Sequence, residues 1–223
     1  MKLTTALFDL DGTLIHFPAH FWCEEGERIF SRYLGYKVSA QELYRAFQAF
    51  DFFGFLGQKS VEIEERFWCE LDLTRCPAPE LLPGAKETLG WLWEQGIPVA
   101  IVTARKDHPK QVETLLDQLQ VGEFVSHIVC SHTRPGSYLD KTHLMQSACD
   151  SLNVSGSEAF YVGDTPSDIQ SAKKLELGLT IAVATGHVLP SLLEQESPDH
   201  MLSSLIEFPA LLTSIKGEQH AVG

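Results

Sequence analysis

Short apolar runs recur along the chain at strand length: Ala6 to Phe8, Val99 to Val102, Ile128 to Cys130, Ala159 to Val162 and Thr180 to Ala184. Almost every residue in them is apolar, a pattern that suits a strand covered on both faces, as in a parallel sheet between helices. Helical stripes stand between the runs. Val112, Leu115, Leu116 and Leu119 share one helix face before Gly122, and Leu144, Met145, Ala148 and Leu152 repeat the pattern before Asn153. The alternation predicts an α/β fold, a doubly wound parallel sheet of the Rossmann-like kind. At 223 residues and 44% hydrophobic content, the chain suits one large domain or one domain carrying an insertion.

Residues 17–82 interrupt the alternation with helical patterns in succession and no strand. The first centres on Trp22, Ile29, Phe30 and Tyr33. The second opens on the capping box Ser39-Ala40-Gln41-Glu42 and is expected to run through Leu43, Phe47 and Phe50. The third runs from Ser60 through Ile63, Phe67 and Leu71. Most of the chain's aromatic residues lie in this segment, enough for a small core of its own. The expected organisation is therefore an α/β core made of 1–16 and 83–223, with an all-helical subdomain at 17–82 inserted after the first strand. Pro77, Pro79, Pro83 and Gly84 punctuate the return.

In an open parallel sheet, ligands bind beyond the carboxyl ends of the strands, so the residues after each run carry the functional expectation. Asp9 and Asp11 follow the first run, Thr103 follows the second, and Gly163-Asp164-Thr165-Pro166-Ser167-Asp168 follows the run at 159–162. Lys141 stands at the start of the helix before that last run. A strand that alternates sends Asp9 and Asp11 to one side. Two adjacent carboxylates without compensation would force one to stay protonated. A divalent cation with oxygen ligands removes that cost, and Asp164 is placed to complete its coordination. Thr103 and the backbone N–H groups after it, at a strand-to-helix turn, suit phosphate oxygens.

The same residues also suit ordinary structural roles. Asp before Gly is ordinary turn chemistry, and Thr165 with Asp168 three residues on and Pro166 between them makes a good helix start. The capping role and a site role for Asp168 are compatible. Lys141 and Thr103 are also open to reading as a solvated helix-start lysine and an inert strand-end residue. An EF-hand loop would need an acid near His20, and there is none.

The stretch "FDLDGTL" resembles the first motif of the haloacid dehalogenase superfamily, whose phosphatase members carry D-x-D-G-T. The later motifs follow in family order: Thr103 in "IVTAR", Lys141 in "LDKTHL" and the acidic "GDTPSD". The helical insertion matches the position of that family's cap. The resemblance implies that Asp9 attacks phosphorus and becomes a transient aspartyl phosphate. It implies that Asp11 acts as acid and then base, and that Thr103, the backbone of Ala104 and Lys141 hold the phosphate. It further implies that Mg²⁺ is bound by Asp9, the Asp11 carbonyl and Asp164, with Asp168 in support.

An acid at position 11 favours phosphoryl transfer over dehalogenation. Thr142 stands where many relatives have proline after the motif lysine, which leaves Lys106 and Lys110 as alternative cations. The loop Phe52 to Gly57 is a candidate for selecting substrate, with Lys59 or Arg45 at the substrate's far end. The scattered histidines are assigned no metal.

The expected function is thus a Mg²⁺-dependent phosphatase acting on a small phosphorylated metabolite. A phosphomutase of the β-phosphoglucomutase type and a receiver-like signalling module are the alternatives. A net charge of −13 argues against nucleic acid and membrane partners. The cysteines, five in number, form no C-x-x-C, which fits buried thiols in a reducing cytoplasm. The apolar stretch at the N-terminus is cut by Asp9, too early for an export signal. A monomer or a homodimer is expected.

Overall fold

The computed structural model describes residues 3–54, 60–72, 75–105, 107–131 and 140–221. Its parallel strands are β1 (Thr5–Phe8), β2 (Val99–Thr103), β3 (His127–Cys130), β4 (Ala159–Gly163), β5 (Leu179–Val183) and β6 (His200–Leu202). They form one sheet in the order β3-β2-β1-β4-β5-β6. The chain therefore moves outward from β1 on one side, returns across it, and continues on the other. A crevice opens where the order reverses, beside the carboxyl end of β1.

The apolar runs become strands because both faces of the sheet are covered. Ala6 and Phe8 of β1 join one cluster, with Leu89 and Leu92 of α4 (Ala85–Glu94), Val112 and Leu116 of α5 (Pro109–Gln118), and Phe208 and Leu212 of the last helix (Phe208–Ala221). Leu7 points the other way. It joins Leu144, Met145 and Ala148 of α6 (Thr142–Leu152) and Ala172 of α7 (Pro166–Lys174). Each large apolar side chain so buried is worth about 1.5–3 kcal/mol, and no residue of β1 is left for solvent.

The expected helices at 17–82 are α1 (Ala19–Leu34), α2 (Ala40–Gln48) and α3 (Ser60–Glu70). They surround a cluster of their own that includes Ile29, Phe30, Leu43, Ile63 and Phe67. The Ser39 and Glu42 capping box forms as read. One expected boundary is corrected: α2 stops at Gln48, and Phe50 takes a positive φ of 56°. That turn brings Phe52 and Phe53 back against Phe30 and Phe67, so these two rings contribute to packing. Phe55 to Gly57 and Lys59 lie outside the described residues.

Two features were not anticipated. Strand β6 is three residues long, half-buried and at the sheet edge, too short to register as an apolar run. The loop after β5 reaches the helical segment: the His187 Nε2–H donates to the Phe17 carbonyl at 2.8 Å, and the Leu189 N–H donates to the Gln48 carbonyl. Arg45 is exposed in the last turn of α2. Among the described residues, no helix is long and apolar enough to cross a membrane.

Candidate active site

Strand register sets the site. Phe8 lies level with Ile101 on one side and Val162 on the other, so β1 ends beside β4 and Asp9 emerges into the crevice. The Asp9 N–H still donates to the Val162 carbonyl at 2.9 Å, which anchors its backbone in the sheet. The chain then turns sharply: the Gly12 N–H donates to Ile15, and the Leu14 and Ile15 N–H groups both donate to the Leu10 carbonyl. Gly12 has a φ of 83°, and a Cβ there would stand 2.2 Å from Asp164 Oδ2. Both the conformation and the close approach require glycine.

Asp9, Asp164, Asp168 and Lys141 converge, and all four are buried. Lys141 Nζ lies 2.7 Å from Asp9 Oδ1 and 2.8 Å from Asp168 Oδ1. Asp168 has every oxygen engaged. Its Oδ1 also accepts from the Tyr161 hydroxyl at 3.0 Å, while Oδ2 accepts from the Thr165 N–H and hydroxyl. Asp168 thus caps its helix through Oδ2 while Oδ1 meets Lys141 and Tyr161. Lys141 is held in place through its N–H, which donates to Ser171 Oγ.

Three carboxylates face one ammonium here, and the titration behaviour follows. Burial pushes the Asp9 carboxyl up to about 7; Lys141 pulls it down, and the charges of Asp168 and Asp11 add to the rise. Asp164 is held well above the carboxylate range by burial and then by Asp9 and Asp168. Burial works against the charge on Lys141, but Asp168 and Asp9 outweigh it and raise the ammonium above its usual value. The lysine stays charged, and among the described residues no second cation pairs with Asp9, Asp164 or Asp168.

Asp9, Asp164 and Asp168 each offer an oxygen within 4.8 Å of the others. Since Asp168 is saturated, the carboxylates with capacity left for a cation are Asp9 and Asp164. Asp164 keeps one oxygen on the Thr13 hydroxyl at 2.9 Å, while its other oxygen lies between Gly12 and Gly186. A Cβ at Gly186 would come within 1.9 Å of it. Buried hard oxygen donors with unmet negative charge fit a divalent ion such as Mg²⁺.

Asp11 stands apart from that cluster. Its carboxylate is gripped by Arg105, with Nε 2.6 Å from Oδ2 and Nη2 2.7 Å from Oδ1. Thr103 is buried at the end of β2 and its hydroxyl accepts from the Arg105 N–H. Ala104 follows it, partly exposed. Of the alternative cations, Lys110 pairs with Glu113 on the surface, and Lys106 lies outside the described residues.

Several residues here escaped the sequence reading. Arg105 sits two positions after Thr103 and carried no motif signal of its own. Thr185, whose hydroxyl donates to the Gly12 carbonyl at 2.7 Å, and Gly186 follow the run at 180–184. The strand-end rule applied to that fifth run would have found both.

A family model described as haloacid dehalogenase-like hydrolase matches residues 6–183. A phosphoglycolate phosphatase from Pseudomonas fluorescens is 31% identical over 123 residues, which is 55% of this chain and 44% of that protein. The chain thus spans less than half the length of such curated relatives. A chain named "Putative pyrophosphatase PpaX", from Caldanaerobacter subterraneus, is 25% identical over 99% of both chains. Among solved structures, a haloacid dehalogenase-like family hydrolase from Streptococcus pneumoniae superposes with a TM-score of 0.73 at 19% identity, covering 94% of this chain and 98% of that one. A predicted phosphatase from Clostridium acetobutylicum gives 0.77 at 17% identity, with 96% and 100% covered. At these identities the structural matches speak for the fold.

Proposed function

Because the chain belongs to the haloacid dehalogenase-like hydrolase family, we propose that it is a Mg²⁺-dependent phosphatase of small phosphorylated metabolites. The observation that carries this reading is the buried set Asp9, Lys141, Asp164 and Asp168 at the crevice beside β1. A set of acids left short of positive charge is suited to a cation and an anionic substrate together.

Asp9 is the nucleophile. Its carboxylate oxygen attacks phosphorus, the bond from phosphorus to the leaving oxygen breaks, and Asp11 delivers a proton to that oxygen. Asp11 then takes a proton from water, which attacks the aspartyl phosphate and releases inorganic phosphate with Asp9 restored. Lys141 favours the ionised form of Asp9 against the effect of burial and orients it, and Asp168 holds Lys141 from the far side. The Thr103 hydroxyl and the backbone N–H of Ala104 bind phosphate oxygens. When bound, Mg²⁺ neutralises the repulsion between carboxylate and phosphate; the Asp9 and Asp164 side chains and the Asp11 carbonyl would hold it.

The helical segment at 17–82 serves as a cap that excludes bulk water during transfer. Phosphoglycolate heads the list of substrates, since several curated relatives are named for it. Pyrophosphate, on the name of the full-length relative, comes second. The test is a phosphate-release screen with Mg²⁺ on phosphoglycolate, pyrophosphate, sugar phosphates and an aryl phosphate. Release from at least one of them, lost in Asp9→Asn and on chelation, is expected. No release from any would overturn the reading.

A further inference from the structure

Arg105 grips the carboxylate of Asp11. The grip is a two-pronged contact at 2.6 and 2.7 Å, the geometry with which a guanidinium fork recognises a carboxylate. Its third nitrogen, Nη1, stands 3.5 Å from Asp107. The Arg105 side chain remains about a third exposed, at 32%, and Asp11 is 19% exposed, so this pair faces solvent, unlike the sealed trio around Lys141. Lys141 is committed to Asp9 and Asp168. Among the described residues, Arg105 and Lys141 are the cations ion-paired with the candidate site carboxylates.

Position adds direction. The Arg105 N–H donates to the Thr103 hydroxyl at 3.2 Å, so its backbone adjoins the phosphate-binding residue while its guanidinium lies on the proposed acid. In the proposed mechanism a phosphomonoester held by Asp9 and Thr103 would present its leaving oxygen to Asp11, and its alcohol portion would then lie beside Arg105, which contacts both Asp11 and Thr103. We propose that Arg105 selects substrates bearing a carboxylate close to the ester oxygen. The substrate carboxylate takes the place of the Asp11 carboxylate on the fork, and Asp11 is released to face the leaving oxygen. One carboxylate replaces another, so the guanidinium never loses its charge partner. A substrate without the second anion leaves Asp11 on Arg105.

This inference rests on the phosphatase reading but fails separately from it. The test compares 2-phosphoglycolate with ethyl phosphate, a neutral analogue in its alcohol portion, in wild type, Arg105→Gln and Arg105→Lys with Mg²⁺. Wild type is expected to favour the carboxylated ester in kcat/KM, and Arg105→Gln to reduce that preference by about 10- to 100-fold, the usual size of a charge-assisted contact. Arg105→Lys, which keeps the charge without the fork, should restore part of it. A preference unmoved in Arg105→Gln overturns the inference and leaves the phosphatase reading standing.

Calorimetric binding of 3-phosphonopropionate against propylphosphonate gives the same comparison without turnover. Selective weakening of the carboxylated ligand in Arg105→Gln supports the inference, and equal weakening of both overturns it. Hydrolysis of no phosphomonoester by wild type counts against the phosphatase reading alone, because the phosphonate comparison still decides Arg105.

Discussion

Two buried acids of this molecule sit in opposite electrostatic situations. Glu25, on α1, is 2% exposed in its side chain and meets two arginines, Arg28 at 2.5 Å and Arg75 at 2.5 Å. Asp9 is about as buried but, among the described residues, shares a single lysine with Asp168 and lies near Asp164 as well. The first acid has more positive charge than it needs, and the second has less. A structural ion pair is satisfied within the chain, since an uncompensated buried charge is destabilising. Under the proposed function, a bound cation would supply the compensation that is missing at Asp9.

The comparison breaks most sharply at Asp9. Asp9→Asn should lower turnover by at least about 10³-fold, as loss of a nucleophile does, while the melting temperature of the metal-free protein holds or rises, because one of the crowded charges is gone. Steady-state kinetics beside a thermal melt checks both halves. A variant that unfolds would place Asp9 with Glu25 as a structural acid.

Metal should act on one region and not the other. At 100 times its dissociation constant, Mg²⁺ should stabilise the fold by about 2.7 kcal/mol, and Asp9→Asn should blunt that gain, while Glu25→Ala should not. Thermal melts across a Mg²⁺ titration read this directly.

Glu25→Ala should cost about 2 kcal/mol, below the 3–5 kcal/mol of a fully buried pair because Arg28 and Arg75 are 36% and 57% exposed. Denaturant unfolding measures it, and kcat/KM should stay within about twofold.

The pH dependence sharpens the contrast further. A carboxyl whose folded pKa is raised stabilises the fold while protonated, so the Asp9 contribution is fully present below its ordinary value of 3.8 and is lost as pH rises through about 7. Metal-free wild type should therefore lose stability between about pH 4 and 7 relative to Asp9→Asn, and Mg²⁺ should remove the difference. The smallest effect is expected at His187, which joins the β5 loop to Phe17 and Tyr44. His187→Phe should cost about 1 kcal/mol, read as a small drop in melting temperature.

Legibility in the sequence followed the same division. The strands of the sheet interior were readable because a strand buried on both faces must be apolar throughout, whereas β6, half-exposed at the edge, carries no such obligation. Asp9, Thr103 and Asp164 stood out because the ends of parallel strands collect at one edge, and Lys141 through its place in the order of motifs. Arg105 did not, since its importance lies in a contact with Asp11 across 94 positions. The end of α2 was misplaced because the demand on Phe50 comes from the rings of Phe52 and Phe53 packing against Phe30 and Phe67. No local pattern reports such a demand.

By itself, the sequence determined the alternating architecture, the helical character of 17–82 and the acids at the strand ends, because hydrophobic periodicity and capping chemistry act between near neighbours along the chain. Only the tertiary structure decided how charge is shared: that Lys141 is spent on Asp9 and Asp168, that Asp11 rests on Arg105, and that Gly12 and Gly186 make room for Asp164. Charge balance in a buried site depends on distances between residues far apart in sequence, and those distances are set by strand order and register.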